Sequence, residues 1–324
     1  MPAPRRALLA LPAVIGTLRT AQAQGNWPER PIRWTVNFPP GGAADTLSRI
    51  LAEQIGTRLG QPIVVENRPG AGGMVGADLL AKARGDAHIV MMSSAASHGI
   101  GPVLYPSVPY DPLGDFTHVA LVGTFPSVLV VNPGVPAQNL GEFVALAKGR
   151  QGGIAFGTGG NGTMNHLTGV LLARAAGVEL THVPYRGSAP ALADAMGGQI
   201  PAVMESLPIA LPHLRAGRLR ALGTSEAGRD ASLPEVPSFA EAGFPAVQST
   251  NWFGFSTTAG IPATVVERWR AAIEEALADG RVRERFAGLG VVPGRMGPAE
   301  YTALVSGELA RWRRVVEEAG VKPD

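Results

Sequence analysis

Two glycine-rich loops have the composition of anion-binding sites. The first is 38–45 (FPPGGAAD) and the second is 157–163 (GTGGNGT). Glycine permits positive φ and close backbone approach. Each loop follows a β-rich run and precedes a helical pattern, and a helix N-terminus offers unpaired N–H groups with a partial positive charge. One such loop alone is more often an ordinary tight turn. Two loops on opposite sides of a cleft predict a clamp for a single carboxylate.

The elements that position these loops alternate along the chain. Short β-rich runs are predicted at 32–38, 63–66, 88–93, 154–157, 180–185, 202–205 and 219–224. Helical patterns are predicted at 43–59, 73–84, 140–148, 163–177, 189–196, 209–217, 262–279 and 298–320. In 43–59 the apolar residues Leu47, Ile50, Leu51 and Ile55 share one helix face. This alternation favours an α/β fold with parallel sheets built from βαβ units.

Two long β-rich stretches, 119–131 and 247–257, flank the middle of the chain. Each is predicted to cross from one lobe to the other. The expected domains are lobe 1, formed by 27–124 plus 251–324, and lobe 2, formed by 125–250. A cleft between two lobes is the usual place for a small ligand.

The N-terminus resembles a secretory leader. Arg5 and Arg6 precede a short apolar run, and 21–23 (AQA) has the form of a cleavage site. We expect residues 1–23 to be a signal peptide cleaved near Ala23 and the mature protein to lie in the periplasm. Without the arginines of that leader, 25 basic residues face 26 acidic ones, and no basic patch indicates nucleic-acid binding.

Residue types exclude several kinds of chemistry. The chain has no cysteine, so disulfides, thiol catalysis and iron–sulfur clusters are excluded. Its six histidines show no i, i+3 or i, i+4 pairing, and we expect no metal and no cofactor. Motifs for a nucleophile elbow, a zinc helix or a phosphate-binding lysine loop are absent. These absences argue against an enzyme.

An oxidoreductase remains the alternative, because Gly157, Gly159 and Gly162 satisfy G-x-G-x-x-G. A dinucleotide site also needs an acidic residue near the end of the following strand. The nearby acid, Glu179, lies instead at the start of that strand. The motif therefore lacks its expected context.

Several motifs together resemble the periplasmic binding proteins of the tripartite tricarboxylate transporter family, also called the Bug family. They run from Trp27 to the end of the chain: WPERPI (27–32), PPGG with Asp45 (39–45), VENRPGAGG (65–73), VPYDP (108–112), HVPYRGSAP (182–190), GGQ (197–199) and the C-terminal pattern of Glu308, Arg311, Trp312, Ala319 and Gly320. Trp252 and Phe253 resemble a further family pair, for which we expect packing at the crossing.

The resemblance implies a two-lobed, type II-like Venus-flytrap fold with two crossovers. It implies a solute-binding protein, not an enzyme, that captures a small carboxylate for integral-membrane transporter subunits. A sensor subunit that contacts a signalling receptor is an alternative. We expect a monomer. The candidate ligand-binding residues are Phe38, Pro39, Gly41, Gly42, Asp45, His98, Gly157, Thr158, Gly159, Gly160, Thr163, His166, Arg186, Ser188 and Glu205.

Three positions depart from the family pattern. The second loop lacks the usual serines and bulkier residue, Gly101 stands where asparagine is common, and Glu205 stands where aspartate is usual. Because these positions are expected near the selecting side of the pocket, the family's ligands do not transfer directly to this chain.

Overall fold

A computed structural model describes residues 27–322, so the predicted leader lies outside the described residues. The strands are β1 (Ile32–Val36), β2 (Ile63–Asn67), β3 (Ile89–Ser94), β4 (Phe116–Val131), β5 (Ile154–Thr158), β6 (Leu180–Pro184), β7 (Ala202–Ser206), β8 (Arg220–Thr224), β9 (Thr250–Thr258) and β10 (Val292–Pro293).

The helices are α1 (Ala43–Leu59), α2 (Met74–Lys82), α3 (Gly101–Leu104), α4 (Leu140–Lys148), α5 (Met164–Ala176), α6 (Ser188–Met196), α7 (Leu207–Arg215), α8 (Ala263–Ala278), α9 (Gly280–Gly288) and α10 (Pro298–Ala319). A 3-10 turn at Ala71–Gly73 precedes α2, and a π-helical turn at Ala96–Ile100 precedes α3. Within 27–322, no helix is both long enough and apolar enough to cross a membrane.

The strands form a ten-stranded mixed arrangement with the order β2-β1-β3-β9-β4-β7-β5-β6, and β8 and β10 pair with β4. The pairs β1–β2, β1–β3, β5–β6 and β5–β7 are parallel, as the βαβ pattern predicts. The two long strands β4 and β9 are antiparallel to each other. We refer to β2-β1-β3-β9 with the first part of β4 as the first sheet, and to the last part of β4 with β5–β8 as the second sheet.

Strand β4 changes partners at one point. It pairs with β9 from Phe116 to Pro126, where Pro126 lies opposite Thr250. From Ser127 onward it pairs with β7 on one side and, from Val128, with β8 on the other. Proline has no N–H to give to a strand ladder, so it fits a position where the pairing ends. Strand β4 therefore belongs to both sheets, whereas β9 pairs with β3 and β4 within the first sheet.

Apolar side chains pack on both faces of the sheets. One cluster of the first sheet holds Trp34, Phe255 and Trp269 in edge-to-face or tilted ring contacts. Helix α10 covers the junction of the sheets with Tyr301 and Trp312, which are both fully buried. Two further clusters lie on the second sheet under α4 and α5 and under α6 and α7. This packing fixes the carboxyl ends of β1, β3, β5 and β7 around a common space.

Candidate functional site

A small cavity of about 70 Å³ lies where the two sheets meet. It lies beyond the carboxyl ends of parallel strands, where α/β proteins usually bind ligands. Its lining residues are Phe38, Pro39, Gly42, Ala43, Ala44, Ser94, Ala95, Ala96, Gly159, Thr163, Met164, Asn165, Gly187, Ser188, Glu205, Ser206, Asn251, Trp252 and Phe253.

The first glycine loop brings the start of α1 to this cavity. Its N-cap, Gly42, has no side chain to accept a hydrogen bond, and Gly42, Ala43 and Ala44 line the cavity. The backbone N–H groups of this first turn are thus available to a ligand. Asp45 stabilises this loop, because its carboxylate accepts a hydrogen bond from the N–H of Gly41 at 3.0 Å.

Asp45 is buried and has further partners. Its Oδ1 accepts from Arg49 Nε and Asn67 Nδ2, each at 3.0 Å. Burial alone would raise the pKa of Asp45. The hydrogen bonds from Arg49, the Gly41 N–H and Asn67 outweigh burial and hold that pKa below its usual value. The structure thus places Asp45 as an ionised support of the loop, outside the cavity lining.

The second glycine loop brings the start of α5 to the same cavity. Thr163 caps this helix through a bond from the His166 N–H, and its hydroxyl also donates to the Gly160 carbonyl at 2.8 Å. Gly159 and Thr163 line the cavity, together with the first helical residues Met164 and Asn165.

Two further helices begin at the cavity. The N-caps of α6 and α7 are Gly187 and Ser206, and neither side chain caps its helix. Both residues line the cavity. Four helices of nine or more residues, α1, α5, α6 and α7, therefore direct their N-termini at one small space. No lysine or arginine of the described chain lines it. Backbone donors and helix dipoles supply the positive potential.

A chain of hydrogen bonds crosses the junction of the sheets beside this cavity. Asn251 Nδ2 donates to Ser127 Oγ at 2.9 Å, and this hydroxyl donates to Asn165 Oδ1 at 2.7 Å. Asn165 Nδ2 then donates at 3.1 Å both to Glu205 Oε1 and to Ser206 Oγ.

Glu205 is the charged side chain of the lining and is 1% exposed. Its Oε1 accepts from Asn165 and from the Ser206 N–H at 2.7 Å. Its Oε2 has no hydrogen-bond partner among residues 27–322. Burial raises the pKa of Glu205, and the N–H of Ser206, the nearby hydroxyls of Ser188 and Ser206, and the Asn165 amide partly oppose that rise.

The structure brings seven of the sequence-predicted residues together around the cavity: Phe38, Pro39, Gly42, Gly159, Thr163, Ser188 and Glu205. Gly160 and Arg186 lie instead in a neighbouring groove. That groove shares Phe38, Pro39, Gly159, Thr163 and Gly187 with the cavity. Gly41, Asp45, Gly157, Thr158, His98 and His166 line neither space.

The two candidate histidines are interior groups. His98 is fully buried between Phe116, Tyr110 and His118, and its pKa lies well below the usual value because of burial and the neighbouring His118. His166 stacks on His182 with ring centroids 3.9 Å apart, and its Nδ1 accepts from the Gly162 N–H. Burial and then His182 lower the pKa of His166 to about 3.

Sequence reasoning missed the residues of the hydrogen-bond chain, Ser127, Asn165 and Asn251, and the N-caps Gly187 and Ser206 of α6 and α7, although Ser188 and Glu205 beside them were predicted. Pro208 in the first turn of α7 and Gly187 before α6 were readable signals of those helix starts. Trp252 and Phe253 line the cavity and also pack in the cores, and Trp252 Nε1 donates to Glu308.

The geometry of the described residues supports neither a dinucleotide site nor a metal site. The G-x-G-x-x-G run does lie between β5 and α5, but β6 ends at Pro184 and is followed by Tyr185 and Arg186, without the acidic residue that ribose recognition requires. In the described part of the chain, no cluster of three or more histidine or acidic residues is placed to hold a metal ion.

Comparisons with known proteins agree with this geometry. A family model described as the tripartite tricarboxylate transporter family receptor matches residues 47–321. Protein BugT of Bordetella pertussis is 38% identical over 297 residues, which cover 91% of each chain. The structure of R. palustris Rpa4515 with adipate is 31% identical, with a TM-score of 0.88 over 92% of this chain and 100% of that one.

A second solved structure, MatC from Rhodopseudomonas palustris with bound malate, is 33% identical and has a TM-score of 0.85. It covers 90% of this chain and 100% of its own. These matches confirm the predicted α/β periplasmic-binding-protein fold. The chain belongs to the tripartite tricarboxylate transporter receptor family.

Proposed function

We propose that this chain is a periplasmic receptor that holds a small carboxylate in the cavity and delivers it to the membrane subunits of a tripartite tricarboxylate transporter. The observation that carries the proposal is the convergence of four helix N-termini on a space lined by no cationic side chain. The adipate and malate in the two related structures are carboxylates, which supports the same ligand class here.

The size of the cavity limits the ligand. A cavity of about 70 Å³ favours a solute of few non-hydrogen atoms. Hydrogen bonds to charged groups are stronger than neutral ones, and several together give roughly micromolar affinity, about −8 kcal/mol. We expect small carboxylic acids to raise the melting temperature of the purified protein and their primary amides to leave it unchanged, because an amide lacks the charge that helix N-termini favour.

Calorimetry on two valine variants tests the location of the site. A Cβ at Gly159 would lie 3.3 Å from Ser188 N and Oγ, so Gly159→Val narrows the cavity and is expected to raise Kd at least tenfold. Gly228 is exposed, has no atom within 4 Å of a Cβ, and provides the matched control. Equal affinity of acid and amide, or wild-type affinity in Gly159→Val, would contradict the proposal.

Binding by two lobes implies closure around the ligand. The proposed lobes are 27–124 plus 251–324 and 125–250, joined through β4 and β9. Gly187 lies close to Pro39 across the cleft, since a Cβ there would be 3.0 Å from Pro39 Cγ. Ligand that contacts both sides favours the closed state. Small-angle scattering should show a smaller radius of gyration with ligand, and an unchanged profile from an open form would contradict closure.

The leader, the oligomeric state, the partner and the absence of a cofactor are each tested by a separate measurement. N-terminal sequencing of exported protein is expected to begin near Gln24, after a leader cut near Ala23. Light scattering is expected to give a monomer mass. Co-purification with transporter membrane subunits is expected, whereas capture by a signalling receptor would favour a sensor. Absorbance from a bound nicotinamide or flavin would favour the oxidoreductase alternative.

A further inference from the structure

Glu205 Oε2 is a buried acceptor that has no hydrogen-bond partner among residues 27–322, and it lies at the wall of the cavity. Glu205 is 1% exposed and lines the cavity, and its other oxygen is already engaged. Leaving a buried polar atom unpaired is unfavourable, and this cost is recovered when a ligand supplies the missing donor. The cavity wall at Glu205 therefore favours a ligand that supplies a hydrogen-bond donor.

We propose that Glu205 accepts a hydrogen bond through Oε2 from a hydroxyl or ammonium group of the ligand, and that the receptor prefers carboxylates carrying such a donor a few atoms from the carboxylate. The inference rests on the proposed carboxylate site and names the solute class that the site selects. The same contact disfavours a second ionised carboxylate at this position, because like charges close together repel.

The surroundings of Glu205 fix which oxygen faces the ligand. Asn251 donates to Ser127, Ser127 donates to Asn165, and this leaves the Asn165 amide to donate to Glu205 Oε1. The Ser206 N–H donates to the same oxygen. Oε1 therefore accepts two hydrogen bonds from the protein, and Oε2 is the oxygen that can accept one from the ligand.

Burial raises the pKa of Glu205, and a donor from the ligand would favour its ionised form. Glu205 and Ser206 directly precede α7, whose N-terminal dipole stabilises an anion. The described lining contains no other charged side chain, so a ligand ammonium would meet Glu205 as its counter-charge. A ligand hydroxyl would supply the same hydrogen bond without the charge.

The first experiment is calorimetry with matched three- and four-carbon acids. Propionate and butyrate are the parents, their hydroxy and amino derivatives at each carbon supply the donor, and malonate and succinate supply a second carboxylate. We expect at least one hydroxy or amino acid to bind tenfold or more tightly than its parent, equivalent to about 1.4 kcal/mol. Comparison of the hydroxy acids with the amino acids distinguishes a hydroxyl donor from an ammonium donor. Equal binding by parents and derivatives, or tightest binding by a diacid, would overturn the inference.

The second experiment reverses the hydrogen-bonding role. In Glu205→Gln, the carbonyl oxygen keeps the two donors on Oε1, so the amide NH₂ replaces Oε2 and turns an acceptor into a donor. The tenfold preference for donor-bearing acids should vanish while the parents still bind. Glu226→Gln is the control, since Glu226 is a partly buried glutamate with a raised pKa outside the cavity lining.

The outcomes separate this inference from the proposed function. If Glu205→Gln keeps the preference for donor-bearing acids, the inference is overturned. The same result is expected if Glu205 is protonated and donates a hydrogen bond, which also contradicts the inference. If parents and derivatives bind the wild type without discrimination, the carboxylate site stands and the role of Glu205 fails. If no carboxylate binds the wild type at all, the proposed function fails and takes this inference with it.

Discussion

The buried histidines are expected to make the protein sensitive to mild acid. His118 is 3% exposed, and its Nε2–H donates to the Pro112 carbonyl at 3.0 Å while Nδ1 accepts from Ser256 Oγ at 3.0 Å. Burial, opposed only in part by Pro112, lowers the pKa of His118 to about 4. The unfolded chain protonates this ring near pH 6.5.

The direction and size of this pH effect on stability follow from proton linkage. Between pH 6.5 and pH 4 the unfolded state binds more protons than the folded state at this site, so stability falls as the pH falls. At pH 5 the loss is about 2 kcal/mol for a folded pKa of about 4 and an unfolded one of 6.5. His166, with a folded pKa of about 3, adds a loss of about the same size.

Urea denaturation at pH 7 and pH 5 measures this loss. His118→Asn is expected to shrink the loss in unfolding free energy between the two pH values by about 2 kcal/mol, whatever the variant costs at pH 7. His213→Asn is the control, because His213 lies on the last turn of α7 with solvent access and is expected to contribute less. The reasoning is refuted if His118→Asn loses as much stability as the wild type.

Two further variants test the cleft. Gly187 has φ 111° and a Cβ there would press on Pro39, so Gly187→Ala should raise ligand Kd at least tenfold in calorimetry. Gly217→Ala, at φ 66° in open space, should change only stability, and equal Kd values in both variants would contradict the closure contact. Asn165→Ala breaks the hydrogen-bond chain and should lower the unfolding free energy by about 1–3 kcal/mol in urea, whereas a wild-type midpoint would count against the chain.

Local patterns were sufficient to predict most helices and strands. The helix predicted at 43–59 has the same bounds as α1, and Leu47, Ile50, Leu51 and Ile55 are all buried on one face. Helix α9 was not predicted, because only Val282 and Phe286 of Gly280–Gly288 are buried. Such a short polar segment lacks the periodic apolar face that marks a helix in the sequence.

The site was predictable only in part, because its contacts are made by topology. The glycine loops are contiguous motifs and could be found as such. Ser127, Asn165 and Asn251 are single polar residues from separate stretches. Pairing of β4 with β9 brings Ser127 near Asn251, and the first turn of α5 brings Asn165 to Ser127. His98 and His166 follow the glycine-rich or serine-rich segments that suggested ligand contact. Their burial depends on packing partners distant in sequence, such as Phe116 for His98.

The position of β9 has a consequence for how the chain is made. This strand lies between β3 and β4, so the first sheet has an empty central place until residues 250–258 have been synthesised. All of β1–β8 leaves the ribosome earlier. A nascent chain that ends before Thr250 exposes the edges of β3 and β4, which have no partner for a large part of translation. Late closure therefore keeps the first sheet incomplete until β9 has been made.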